Sequence, residues 1–164
     1  MSSNSASKFN VFSRDATFWE SQVDSYDRLT GGCTRIIAAA IAKSITPPIT
    51  ASSYVLDNAC GTGAFTEEMK ARCPDARIIA ADIAAGMAKK VEGLVTKRGW
   101  SNVKTAVQDI RDLNKFKDET FSHVVTNFAL VQLEEQEDLL KAAREMYRVL
   151  QDDGVCVVTS WAGT

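Results

Sequence analysis

One histidine, three prolines and four scattered cysteines are what this sequence of 164 residues has least of. A single His and no CxxC pair leave no ligand spacing of the kind a zinc site needs. Cys33, Cys60, Cys73 and Cys156 show no disulfide framework, which reads as reduced thiols and a cytoplasmic setting. No apolar run approaches the roughly 20 residues that span a bilayer, so no membrane partner is expected. Positive charge is not in excess either: 19 Lys and Arg face 21 Asp and Glu, a net charge of −2 that supplies no basic face for nucleic acid. The opening "MSSNSASKFN" lacks the apolar centre of a signal peptide and reads, over residues 1–13, as a disordered tail.

What is present is an ordinary soluble core. Apolar residues make up 45% of the chain, enough for one domain of this length. Arg14 to Arg28 has helical spacing, with Phe18, Trp19, Val23 and Tyr26 on one face. Gly31-Gly32 breaks that helix, and Thr34 to Ile45 makes a second one that Pro47-Pro48 stops. Short apolar runs then alternate with helical patterns. "YVLDN", "RIIAADI", "NVKTAVQDI", "FSHVVTNFAL" and "VCVVTSW" read as strands. "GAFTEEMKARC", "AAGMAKKVEGLVTKRG" and "EEQEDLLKAAREMYRVL" read as helices, the last with Leu139, Leu140, Ala143, Met146, Tyr147 and Leu150 inward. Asp152-Asp153-Gly154 is expected to turn into the final strand. The alternation predicts an α/β fold: a doubly wound, mostly parallel sheet of about five strands, preceded by N-terminal helices. The strands lack strict polar alternation, as strands covered on both faces do.

In such sheets ligands bind where the strands end and the connection direction switches. The first strand ends at Asp57, and Gly61-Thr62-Gly63 opens the next helix. Glycines there permit a sharp turn and close approach of a ligand to the backbone. A dinucleotide fingerprint needs a third glycine, but Thr66 stands at that position, which disfavours a nucleotide-dependent oxidoreductase. Asp82 ends the second strand about 20 residues on, where an acid can grip ribose hydroxyls. Asp109 is expected to end the third, where a carboxylate can accept from an adenine amino group.

"VLDNACGTG" resembles the first motif of the class I S-adenosylmethionine (SAM)-dependent methyltransferases. The resemblance runs on through "ADIAAGM", "QDI" and "VVTNFAL", and covers roughly Asp15 to Trp161. The upstream "YDRLTGG" is similar to the leading segment of the ubiquinone-biosynthesis-like branch, which includes fungal small-molecule methyltransferases. The resemblance implies a Rossmann-like core over residues 47–164 and a helical lid over 14–46. It implies SAM as cofactor, S-adenosyl-L-homocysteine (SAH) as product and a small O, N or S nucleophile as methyl acceptor, in secondary metabolism. Residue by residue, Asp57, Gly61 and Gly63 would shape the pocket for the methionine half, and Asp82 would bind the ribose. Met87 would pack on the adenine, whose edge Asp109 and Ile110 would hold. Asn127 and Phe128 would border the methionine amino group, and Tyr26 would close the pocket.

Phe12 and Trp19 are candidates for an aromatic acceptor wall. His123, the lone histidine, is the obvious base candidate, but it stands two residues into its strand rather than at the C-terminal end, which favours packing over catalysis. The chain departs from the family pattern by ending after the fifth strand, without the last two strands. That raises two expectations: a further segment or partner chain covers the final strand, or the chain is a SAM-binding or partner-binding module without catalysis.

Overall fold

Prolines 47 and 48 close the helical N-terminal segment, and behind them five apolar runs pair into one sheet. The computed structural model describes residues 15–161. Helices α1 (Ala16–Gln22), α2 (Tyr26–Leu29) and α3 (Cys33–Ser44) come first. Strands and helices then alternate: β1 (Tyr54–Asn58), α4 (Ala64–Arg72), β2 (Arg77–Asp82), α5 (Ala85–Arg98) and β3 (Val103–Val107). After a long connection follow β4 (Phe121–Asn127), a single 3₁₀ turn (Leu130–Gln132), α6 (Gln136–Val149) and β5 (Leu150–Thr159). The sheet order is β3-β2-β1-β4-β5, and every pairing is parallel. This is the α/β, Rossmann-like sheet expected from the alternation of elements.

The central strands β1, β2 and β4 are buried on both faces, so alternate residues feed two cores. Val55, Ile78 and Val125 pack beneath α3 and α4 with Ala38, Ile41, Phe65 and Met69. Leu56, Ile79 and Val124 point the other way, onto Ala142, Met146 and Val149 of α6 and onto Leu113 of the β3–β4 connection. The direction of winding reverses between β1 and β4, and a cleft opens above the C-terminal ends of these two strands, as the switch point requires.

Four expectations need correction. The N-terminal helix is not continuous from 14 to 28: it breaks after Gln22, where the Ser25 hydroxyl donates to the Gln22 carbonyl and competes with helical pairing. The inward stripe of α6 is Leu139, Ala142, Met146 and Val149, while Leu140 (48% exposed), Ala143 and Tyr147 (81%) face outward. Both stripes have helical spacing, and the sheet selects the one that continues into β5. Asp152 to Gly154 does not precede the last strand but lies inside it, where the register against β4 shifts between Phe121 and His123. The third strand ends at Val107, so Asp109 stands two residues beyond it, bridged to Asp112.

Candidate active site

The turn after β1 carries three left-handed residues: Ala59 at φ 60°, Gly61 at φ 52° and Gly63 at φ 90°. Alternation of this kind folds the chain back tightly enough to bring β1 and the start of α4 around one point. Gly63 stands outside both cavity walls and serves packing, since a Cβ there would come within 3.0 Å of Val91. A Cβ on Gly61 would meet the Tyr26 ring at 3.4 Å, so the phenol lies directly over the turn.

Asp57 is buried, and its Oδ2 accepts from the Thr66 amide (3.1 Å) and hydroxyl (2.6 Å). Thr66 is the residue that replaces a third glycine, a role that its position in the motif does not reveal. Burial pushes the Asp57 carboxyl up to about 7, against the opposing bonds from Thr66. Asp82 is likewise buried, and burial raises it too. Its Oδ2 accepts from the Gly61 amide (2.8 Å) and its Oδ1 from the Ala84 amide (2.9 Å), so this carboxylate stitches β2 to the turn after β1. Burial, with Asp82 adding to it, lifts the Tyr26 phenol to about 12, which keeps it a proton donor. Cys60, buried beside both carboxylates, is held far above the usual thiol range, first by burial.

Two cavities meet at this turn. The larger has a volume of about 610 Å³, well within the range of small-molecule sites. Asp82 and Met87 line it beside Asp109 and Ile110, and Tyr26, Trp19, Asn127 and Phe128 form further wall. The smaller, about 20 Å³, lies against Asp57 and shares Tyr26, Gly61 and Asn127 with the larger. Asn127 is fixed from two sides: its Nδ2 donates to the Thr34 carbonyl (3.0 Å) and its Oδ1 accepts from the Thr159 hydroxyl (2.7 Å). Phe128 sits at φ 62°, held there by its amide donating to Thr159 Oγ1 (3.0 Å).

Asp109 is not a free acceptor. Arg111 donates through its amide and guanidinium to both carboxylate oxygens, the shortest bond being 2.7 Å, and reaches Asp138 of α6 at 2.6 Å. Burial acts to raise the Asp109 carboxyl, but the Arg111 bonds outweigh it and hold it low. Phe12 lies outside the described residues. His123 lines neither cavity. It is buried in β4, with Nδ1 2.9 Å from Ser122 Oγ and Nε2 3.2 Å from the Pro47 carbonyl. A carbonyl only accepts, so Nε2 carries the proton, and burial favours the neutral ring.

The N-terminal helices reach the cleft through polar clasps. Glu20 Oε2 accepts from the Gly86 amide at the start of α5 (2.9 Å), and Asp27 accepts from the Thr62 hydroxyl (2.6 Å). Lys90 pairs with Asp24 at 3.3 Å, and Arg35 reaches Asp27 and Glu67.

A family model described as a methyltransferase domain matches residues 55–154, from inside β1 to Gly154 within β5. The chain belongs to this methyltransferase family. Among its relatives is the Aspergillus fumigatus methyltransferase tpcH, 30% identical over 78% of this chain and 44% of that protein. The Aspergillus niger methyltransferase ktnA is 26% identical over 67% of this chain and 42% of its own length. The chain therefore spans less than half the length of the curated relatives it matches. A solved protein of Methanococcus maripaludis assigned to the SAM-dependent methyltransferases superposes with a TM-score of 0.69 at 19% identity, over 98% of this chain and 67% of that one, which establishes the fold.

The methyltransferase cleft suits SAM, the cofactor of the family. Six carboxylates and one guanidinium line the larger cavity, a setting that favours a cationic sulfonium. The buried Asp82 carboxylate retains lone pairs after its two backbone bonds, and the Cβ-free turn at Gly61 lies under the Tyr26 ring where the two cavities meet. Sequence reasoning missed Thr66, Ala59 and Arg111. The short Asp-x-Arg spacing at 109–111 was the one available signal for the last.

Proposed function

We propose that the protein is a transferase that moves a methyl group from SAM to a small-molecule O, N or S nucleophile in secondary metabolism, releasing SAH. The observation that carries this reading is the pair of buried carboxylates, Asp57 and Asp82, at adjoining strand ends around one left-handed turn. In this reading Asp82 accepts from the ribose hydroxyls, Met87 packs on the adenine, and Ile110 and Asp109 border its edge. Asp57, Asn127 and Tyr26 surround the amino-acid end. SAM, when bound, supplies a methyl group already activated on a sulfonium. The chain's own contribution is to orient and to exclude water, and oriented approach alone is worth roughly 7–11 kcal/mol. No histidine lines the cleft among the described residues, so acceptors that need little help from a base are served best.

We further propose that residues 14–46 act as a cover over a core beginning at residue 47. Support comes from Trp19 and Tyr26, which line the cleft and meet edge-to-face at 6.1 Å between ring centres. Four free cysteines suit the reducing cytoplasm as its setting. A further segment or partner chain over β5 is part of the proposal, supported by the half-exposed Val158 and the outward Leu140 and Tyr147.

Calorimetry with SAM and SAH tests the reading. Asp82→Ala removes the acceptor for two backbone amides and for the ribose, a loss of about 1.5–3 kcal/mol. Affinity should fall roughly 10- to 150-fold, and labelled methyl transfer should fall with it. Unchanged affinity in that variant would mean that the cofactor lies elsewhere.

A further inference from the structure

The rim of the cleft combines flat aromatic surface with one sign of charge. Trp161 stacks on Phe128 with ring centres 4.4 Å apart and planes 20° from parallel, yet remains 59% exposed. Both rings line the larger cavity, and so do Phe18 and Trp19, which meet edge-to-face at 5.0 Å. Phe128 is placed deliberately: its left-handed backbone is fixed by the Thr159 hydroxyl, which also fixes Asn127. A non-glycine residue in that region costs about 1–2 kcal/mol, so the geometry is one that the surroundings enforce.

Charge along the same wall is negative. Among the described residues, Arg111 is the one cationic side chain lining the cavity, and Asp109 and Asp138 already occupy it. Asp15, Glu134 and Glu135 line the cavity with no cationic partner among the described residues. Among the described residues, an acceptor bearing a carboxylate, sulfate or phosphate would find no unpaired positive group to meet it and several negative ones to repel it.

We infer that the methyl acceptor is a planar aromatic molecule without negative charge, held against the Trp161–Phe128 stack and screened by the acidic rim. The inference rests on the transferase reading above and names the acceptor class for that cleft. An indole offers a broad face for ring stacking, and such contacts contribute beyond the area they bury. Like-charge rejection supplies the specificity, since selectivity against a competitor is a difference of affinities.

The test uses the full chain and two probes of one shape, 2-naphthol and 2-naphthoate, titrated with and without SAH at neutral pH. The naphthol should bind at least about ten-fold more tightly than the naphthoate. Trp161→Ala should weaken naphthol about five-fold or more and SAH by a smaller factor, while Trp161→Phe should retain most of the binding. Replacing Glu134 and Glu135 together with Gln should narrow the gap between the probes. Naphthoate binding as tight as naphthol would overturn the charge argument, and naphthol affinity indifferent to Trp161→Ala would overturn the aromatic wall. Failure of SAH to bind would sink the transferase reading alone, since naphthol binding without SAH still decides the inference about the rim.

Discussion

Replacing Asp57 with Asn should stabilise the cofactor-free protein, and by an amount that grows with pH. The carboxyl ordinarily loses its proton near 3.8, but burial holds the proton on until about 7. A group whose value is raised by folding contributes stability that is complete below its unfolded value and lost as pH climbs through its folded one. At about 1.36 kcal/mol per pH unit, ionising Asp57 inside the fold removes roughly 4 kcal/mol between pH 4 and pH 8. That is a large share of the typical 5–15 kcal/mol that holds a domain together. Asn matches the shape, and its Oδ1 can accept both bonds from Thr66. Urea unfolding of both proteins should therefore give nearly equal stability at pH 4.5 and an advantage of a few kcal/mol for Asp57→Asn at pH 8, or roughly 10 °C in Tm. The difference between the two proteins isolates this group from Asp109 and Glu145, whose lowered carboxyls act in the opposite sense. A gap that stays constant from pH 4.5 to 8 would refute the reasoning, because Asp57 would then be ionised throughout. SAH affinity should fall in the same variant, which separates recognition from stability.

Three further outcomes are expected. Ala59→Gly should raise Tm by about 2–4 °C, because relieving a left-handed alanine returns about 1–2 kcal/mol, partly offset by the greater freedom of glycine in the unfolded chain; differential scanning calorimetry checks it. Gly61→Val should weaken SAH binding about ten-fold or more by calorimetry, since a β-branched residue resists φ 52° and crowds the Tyr26 ring. His123→Ala should leave SAH binding and methyl transfer within a few-fold, while costing about 1–3 kcal/mol in urea unfolding through its lost contacts to Ser122 and Pro47; a rate loss of about 10²–10⁴ with normal stability would mark it as a general base instead.

The sheet and the position of the cleft were legible in the sequence because period and punctuation agree. Proline at 47 and 48 stops a helix, apolar runs ending in Asp57 and Asp82 mark strand ends, and glycines at 61 and 63 mark the turn into the next helix before any contact is known. The orientation of α6 was not legible, since Leu139-Ala142-Met146 and Leu140-Ala143-Tyr147 have equally good helical spacing and tertiary contact alone chooses between them. The role of Thr66 was hidden for another reason. A threonine where a glycine is expected looks like a defect in a motif, and its meaning appears only when its hydroxyl is seen on a buried carboxylate. Arg111 was missed because the Asp-x-Arg spacing is a weak signal, and its reach to Asp138 across 27 residues leaves no trace in periodicity. The pairing of Trp161 with Phe128 joins residues far apart in sequence, and the fold alone brings them together.

Neither α1 nor α2 contributes a buried residue, yet both help wall the cleft. What keeps them seated is a handful of charged and polar clasps near solvent, among them Glu20 on the Gly86 amide and Lys90 on Asp24. Attractions of this sort reach about 10 Å in 0.1 M salt and only about 3 Å in 1 M. If these helices act as the proposed cover, ionic strength should control how tightly the entrance is held. On that proposal, an affinity measured in dilute buffer and one measured in concentrated salt would report on two differently fastened doors, and the dissolved ions, as much as any side chain, would set how long a bound molecule stays.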